Sequence, residues 1–188
     1  MPHETPPPLP RQTDDQLIFH GPRVDFILRP TRTANGGTRQ REVVLHPGAV
    51  IVLPVLDDGR IVLIRNRRHT IHETLLELCA GTLERDAAGV IEDPALCAAR
   101  ELTEETGYQA ARLEPFGWFY TSPGILTEKM YAFIATGLTA GRQALDDSEQ
   151  IEVAVLSAEE ILRLIRENQI VDAKSIATLL KYFVGRQV

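Results

Sequence analysis

Residues 100–108 read Arg-Glu-Leu-Thr-Glu-Glu-Thr-Gly-Tyr, and Glu92 precedes them. Side chains three and four positions apart share one face of a helix, so Glu101, Glu104 and Glu105 converge there. Carboxylates on one stripe repel one another unless a cation lies among them. Because Mg²⁺ and Mn²⁺ prefer oxygen ligands, the stretch predicts a helix that holds a divalent metal ion.

The boundaries of this helix are also marked in the sequence. Asp93 and the proline after it provide an N-cap and a first-turn proline, and Gly107 provides the stop. Similar signals predict two later helices. Ser157 and Glu160 form a capping box for a helix to about residue 167, and Asp172 caps a last helix to about residue 183.

The spacing of the acidic stretch resembles the Nudix box, a signature of hydrolases that split a nucleoside diphosphate linked to another moiety. Its structural positions would be Gly81, Glu92, Arg100 and Gly107. In the family, the arginine and the first glutamate brace the preceding loop against the helix, a role that orients metal ligands. Ten residues separate Gly81 from Glu92. The family usually has about five, so we interpret the difference as a loop insertion around residues 85–90.

The resemblance implies the Nudix fold, an α/β/α sandwich with a mixed sheet. It implies Mg²⁺ as the cofactor, with Mn²⁺ as the alternative, and direct ligation of the metal by Glu101 and Glu105. The backbone carbonyl of Ala80 would add a further ligand. Glu104 would bind the metal directly or through water and act as a catalytic carboxylate.

Three further segments resemble the ADP-ribose pyrophosphatase branch of the family: HPGAV at 46–50, LLELCAG at 75–81 and SPGILTEK at 122–129. In that branch an arginine at a strand end contacts the substrate diphosphate, and Arg68 holds the matching position. Its planar fork pairs with two phosphate oxygens at once. Asn66-Arg67 replaces the usual Gln-Tyr before it. The alternative for Arg68 is an ordinary surface arginine.

Two glutamates are candidates for the general base that takes the proton of the attacking water. The branch often places this base on a mobile loop, where the following strand reads Glu-x-hydrophobic-Glu-hydrophobic. Glu149-Gln-Ile-Glu-Val153 matches that pattern. Glu149 also follows Asp146 and Asp147, so the alternative is an ordinary solvated acidic run. Glu128 is the second candidate for the base.

The composition limits the classes of function. With 188 residues, of which 44% are hydrophobic, the chain can form one full core but not two ordinary domains. The formal net charge of −6 and the lack of a basic stripe argue against a nucleic-acid partner. No apolar run reaches membrane-spanning length, and the first residues lack the order of a signal peptide. We therefore expect a cytoplasmic protein with no membrane partner.

The chain divides into three predicted parts. Proline-rich residues 1–14 are expected to form a disordered tail. Residues 15–46 have strand-like composition with a turn signal at 35–37, and predict a small N-terminal antiparallel strand unit. Residues 47–188 would form the hydrolase domain, with an Asp-Gly hairpin at 57–60. The resemblance implies a homodimer in which the N-terminal unit exchanges between subunits and helps to bind the base.

The predicted activity is metal-dependent hydrolysis of the diphosphate of ADP-ribose or a related nucleoside diphosphate sugar. The products would be a nucleoside monophosphate and a sugar phosphate. One alternative is GDP-mannose or another nucleoside diphosphate hexose, because the selecting contacts come from loops and from the partner subunit. The other is a sensor that binds ADP-ribose without cutting it, although the intact acidic stretch argues against this.

Overall fold

The computed structural model describes residues 9–86, 88–147 and 149–185, so residues 1–8 of the predicted tail lie outside the described part. The strands are β1 (Gln16–His20), β2 (Asp25–Arg32), β3 (Thr38–Leu45), β4 (Ala49–Pro54), β5 (Ile61–Arg68), β6 (Glu73–Glu77), β7 (Ala80–Thr82), β8 (Tyr108–Tyr120), β9 (Lys129–Ala140) and β10 (Ile151–Leu156). The helices are α1 (Pro94–Thr106), α2 (Ala158–Arg166) and α3 (Ala173–Gly185).

The predicted N-terminal strand unit is confirmed as a three-stranded antiparallel sheet with the order β1-β2-β3. Gly36, with φ of 84°, lies in the turn between β2 and β3. The backbone N–H of Thr33 donates to the carbonyl of Gly37 across the same turn. Asp15 is buried and accepts two hydrogen bonds from Arg29, at 2.8 and 2.7 Å. This ion pair joins the residue before β1 to β2.

The rest of the chain forms two further sheets. One is mixed, with the order β7-β4-β9-β8, and β4 pairs with β9 in parallel. The other is antiparallel, with the order β10-β5-β6. The predicted Asp-Gly turn is present between β4 and β5, where the N–H of Leu56 donates to the carbonyl of Arg60 and Gly59 has φ of 85°. The predicted hairpin is wrong, because the strands meet at the bridge Val55–Ile61 and then enter different sheets.

Strand β4 shows how the layers are arranged. Val50 and Val52 pack in a cluster with Leu102 of α1. Ile51 and Leu53, which alternate with them, pack in a second cluster with residues of α2 and α3. Because successive side chains of a strand point to opposite faces, the sheets lie between α1 and the two C-terminal helices. The predicted α/β/α sandwich is confirmed.

The helix caps follow the sequence signals. The Asp93 carboxylate accepts hydrogen bonds from the first turn of α1, and Gly107 ends the helix with φ of 75°. Ser157 and Glu160 form the capping box of α2. Asp172 accepts from the N–H of Ser175 at 3.0 Å at the start of α3. None of these helices, in the part of the chain that is described, is long and apolar enough to cross a membrane.

The segment from β6 to β7 passes from one sheet to the other. β6 pairs with β5, and β7 pairs with β4. Leu78 and Cys79 make the crossing and are fully buried. The N–H of Leu78 donates to the hydroxyl of Ser175 at 2.8 Å, which ties the crossing to α3. In the pairing of β6 with β5, Glu77 lies opposite Ile64 and Glu73 lies opposite Arg68.

Candidate functional site

A cleft of about 570 Å³ collects most of the predicted site residues. It is bordered by the end of β5, by β7, by α1 and by the loop before β10. The predicted residues that line it are Arg68, Ala80, Gly81, Glu101, Glu105 and Glu149. Three further arginines also line it, namely Arg23, Arg67 and Arg85. Buried carboxylates and arginines therefore share one cleft.

Glu105 is the most enclosed carboxylate of the cleft, with 3% of its surface exposed. Burial raises the pKa of this carboxyl to about 8, against the opposing effect of a hydrogen bond from the N–H of Ala80. That bond measures 3.0 Å and joins α1 to β7. Burial penalises the charged form, so a cation beside this carboxyl would reduce the cost of its negative charge.

Glu101 lies directly against Gly81. A Cβ atom at position 81 would lie 1.9 Å from the carboxylate carbon of Glu101, so only glycine leaves room for this side chain. Burial also raises the pKa of Glu101, although Arg100 opposes the shift. The close approach gives the predicted box glycine a physical role in placing a carboxylate.

The longer loop before α1 forms a separate turn. The N–H of Gly89 donates to the carbonyl of Asp86, and the N–H of Val90 donates to its carboxylate at 2.8 Å. Beyond this turn, the N–H of Glu92 donates to the carbonyl of Glu84 at 2.9 Å. The turn thus contains the additional residues, and Glu92 still forms an ion pair with Arg100 of α1.

Arg100 connects three glutamates. Its guanidinium donates to Glu92 at 3.1 Å and to Glu101 and Glu104 at 2.9 Å each. Burial is the largest single effect and acts to raise the pKa of Glu92, but the bond and charge of Arg100 and the bond from the N–H of Glu84 together lower it. Glu104 is bound to Arg100 and does not line the cleft. Arg100 and Glu92 therefore hold the loop and the helix together.

The acidic residues fit a hard divalent cation in their chemistry. Within the described residues, no three His, Cys, Asp or Glu side chains converge closely enough to hold a metal as they stand. Arg100 instead donates to Glu101 and Glu104. Carboxylate and carbonyl oxygens are the donors that Mg²⁺ and Mn²⁺ prefer, and a cation would relieve the cost of burying Glu101 and Glu105 together.

Arg68 is held by a residue that the sequence analysis did not select. Its guanidinium donates to both oxygens of Glu77, at 2.8 and 2.6 Å. Glu77 is fully buried and also accepts from Lys174 at 2.6 Å, and Lys174 in turn contacts Asp172. A single Glu within the apolar run LLELC was the available signal, because such a residue needs a cationic partner when buried.

The two candidate bases occupy different surroundings. The carboxylate of Glu149 accepts from the N–H of Asp146 at 3.0 Å, and the N–H of Glu149 donates to the carbonyl of Asp146. Glu128 instead lines an adjoining cleft of about 320 Å³. Its carboxylate accepts from the hydroxyl of Thr121 at 2.6 Å and lies 3.4 Å from His46 Nε2.

The family model described as NUDIX domain matches residues 45–179. The chain belongs to the NUDIX domain family. This finding confirms the prediction of a Nudix hydrolase. Residues 15–44, which hold β1, β2 and nearly all of β3, precede the matched region.

Relatives of this Nudix protein support the same assignment. It is 38% identical to an ADP-ribose pyrophosphatase of Bacillus subtilis (strain 168) over 162 residues, 85% of each chain. It is 34% identical to a GDP-mannose pyrophosphatase of Cronobacter sakazakii (strain ATCC BAA-894), over 82% of this chain and 86% of that one. A crystal structure of an ADP compounds hydrolase has a TM-score of 0.79 over 98% of this chain and 97% of that chain. Its identity is 19%, so it supports the Nudix fold alone.

Proposed function

We propose that this Nudix hydrolase cleaves the diphosphate of ADP-ribose or a related nucleoside diphosphate sugar. The products are a nucleoside monophosphate and a sugar phosphate. The observation that carries the proposal is one cleft in which Glu101 and Glu105 lie together with Arg68 and Glu149. The names of the similar pyrophosphatases support the same substrate class.

The proposed ligands for Mg²⁺, or for Mn²⁺ as the alternative, are Glu101, Glu105 and the carbonyl of Ala80, with Glu104 direct or through water. When bound, the ion would polarise the phosphate and lower the pKa of the attacking water. Glu101 and Glu105 provide negative charge in a setting where burial strengthens its attraction for a cation. Glu104 must break its ion pair with Arg100 before it can bind the metal.

Arg68 is proposed to bind the substrate diphosphate. It lines the cleft while Glu77 holds two of its nitrogens, so the guanidinium has a defined orientation. Arg23, Arg67 and Arg85 line the same cleft and add positive charge. A diphosphate with several negative charges is the kind of ligand that such a group of arginines attracts.

Glu149 is proposed as the general base. It lies on the wall of the larger cleft, and its carboxylate is oriented by the N–H of Asp146. Glu128 is bound by Thr121 and adjoins His46 in the neighbouring cleft, so it is the second candidate. A carboxylate at position 149 would accept the proton of the attacking water.

A homodimer formed through residues 15–46 is part of the proposal, with residues 47–188 as the catalytic domain. β1 is an edge strand, and Leu17, Ile18 and Phe19 on it are exposed, Phe19 by 61%. An exposed apolar edge strand favours pairing with another chain. Light scattering at micromolar concentration tests this, because a monomer would contradict it. The cytoplasmic location and the lack of nucleic-acid or membrane partners stay predictions.

The first experiment is product analysis with Mg²⁺ for ADP-ribose, GDP-mannose, UDP-glucose and a dinucleotide, with kcat/KM for each. Release of AMP and ribose phosphate from ADP-ribose at the highest kcat/KM is expected. A preference for GDP-mannose would select the second candidate, which the 34% identical relative favours. Tight binding with no cleavage would instead indicate the sensor.

A further inference from the structure

The loop of residues 141–150 joins β9 to β10 and carries Glu149. It is tied to the carboxyl end of α1 by three hydrogen bonds. The N–H of Gly141 donates to the carbonyl of Gly107 at 2.8 Å, and the N–H of Ala144 donates to the carbonyl of Glu104 at 3.0 Å. The side chain of Gln143 donates to the carbonyl of Glu105 at 2.6 Å. The loop therefore satisfies helix-end carbonyls that have no partner within the helix.

Gln143 also reaches the other end of the loop. The same Nε2 atom lies 3.4 Å from the carbonyl of Ile151, the first residue of β10. One amide group thus links the carboxyl end of α1 to the point where the loop enters β10. Both ends of the segment that contains Glu149 meet at this side chain.

The backbone of the loop packs closely against Gly107 at the end of α1. A Cβ atom at Gly107 would lie 3.0 Å from the backbone of Arg142 and of Gln143. Beyond Gln143, the N–H of Asp146 binds the carboxylate of Glu149 and the carbonyl of Asp146 accepts from the N–H of Glu149. The pair Asp146–Glu149 therefore lies between two points that are bound to Gln143 or its neighbours, namely Glu105 at the end of α1 and Ile151 at the start of β10.

We propose that Gln143 is a positioning residue that sets the place of Glu149 relative to the carboxylates of α1. The inference rests on the proposed function, with Glu149 as the base. Gln143 itself would contact neither substrate nor metal. It acts by holding the loop to the backbone of Glu105, a residue of the acidic cluster itself. A shift of about 1 Å in a reacting group can lower a rate about a hundredfold.

The variants are Gln143→Ala and Gln143→Glu, with Gln109→Ala as control. Gln143→Glu keeps the size of the side chain but turns a carboxylate oxygen toward two carbonyl oxygens. Gln109 is an exposed glutamine on β8, two residues beyond Gly107. For both Gln143 variants we expect kcat to fall by about tenfold to a hundredfold, with KM and the Mg²⁺ dependence nearly unchanged. Gln109→Ala should behave as wild type.

A double-mutant cycle with Glu149→Gln separates positioning from general structure. If Gln143 acts through Glu149, Gln143→Ala should cause no further loss of kcat in the Glu149→Gln background. If the double variant instead loses kcat by the product of the two single-variant factors, the inference is wrong. Hydrogen exchange should rise in residues 141–151 of Gln143→Ala and stay unchanged in the control.

The outcomes for the proposed function and for this inference are distinguishable. If the wild-type protein cleaves none of the tested substrates, the proposed function fails and the inference falls with it. If the wild-type protein cleaves a substrate and Gln143→Ala does so equally fast, only the inference is wrong.

Discussion

Arg68 and Glu77 form a two-point ion pair, in which Nε and Nη2 of the guanidinium lie 2.8 and 2.6 Å from the two carboxylate oxygens. Glu77 is fully buried, whereas the Arg68 side chain is 35% exposed and lines the cleft. The pair therefore connects the interior with the surface that would meet a diphosphate. Lys174 of α3 contacts the same carboxylate, so this group of charges joins three segments, β5, β6 and α3.

Glu77→Gln should destabilise the protein and weaken substrate binding. The variant leaves Arg68 and Lys174 beside a neutral amide, and breaking a buried pair costs about 3–5 kcal/mol. We expect a lower free energy of unfolding in urea and a raised KM. Glu73→Gln, at an exposed position on the same strand, is the control. Equal stability of the two variants would contradict the assigned role of Glu77.

Gly81→Ala should displace Glu101. The new methyl group would lie 1.9 Å from the carboxylate carbon, so the side chain must move or the backbone must shift. Overpacking of this kind costs about 1–3 kcal/mol. Calorimetric titration with Mg²⁺ should show weaker binding. Gly124→Ala, where a Cβ meets no atom within 4 Å, should bind as wild type. Unchanged affinity in Gly81→Ala would show that Glu101 is not a ligand.

Glu105→Gln should lower turnover by at least about a hundredfold while the protein stays folded. The amide keeps the volume of the carboxyl group and can still accept from the N–H of Ala80, but it removes the charge that attracts a cation. Steady-state kinetics at saturating Mg²⁺ measure the effect. Glu114→Gln, at an exposed position on β8, is the control. Near-normal activity of Glu105→Gln would overturn the metal assignment.

The pKa of Glu105 predicts how the stability of the metal-free protein depends on pH. Burial raises it from 4.5 to about 8 in the folded state. Between these values the folded state holds a proton that the unfolded state releases, so this group makes stability fall as pH rises from about 4.5 to about 8. Thermal unfolding in the presence of a chelator should show that the stability of Glu105→Gln falls less steeply with rising pH than that of the wild-type protein. Identical pH profiles for the two proteins would be inconsistent with the raised pKa.

Glu149→Gln should lower kcat by about a hundredfold or more without changing the binding of Mg²⁺, since a general base contributes about 10²–10⁴ to the rate. Glu128→Gln serves as the comparison and should have a smaller effect, because its carboxylate is bound by Thr121. Steady-state kinetics of both variants decide between them. A larger loss in Glu128→Gln would assign the base to that residue.

Local signals predicted the elements that depend on neighbouring residues. Side chains close in sequence specify the caps of α1, α2 and α3, the turn at Gly59 and the N-terminal strands. They did not specify that β4 and β5 separate into different sheets after that turn. The strands β6 and β7 were not predicted. They are short, and their partners β5 and β4 belong to different sheets, so their existence depends on pairing with distant segments.

By itself, the sequence determined the family, the fold class and the acidic helix, because spacing within a helix decides which carboxylates share a face. The pair Arg100–Glu104 belongs with these local features, because its members are four residues apart on α1. Only the tertiary structure decided the contacts between separate segments. Glu77 orients Arg68, and Gln143 ties the Glu149 loop to α1. Both contacts depend on which side chains come within hydrogen-bond distance when the layers pack, which no local pattern specifies.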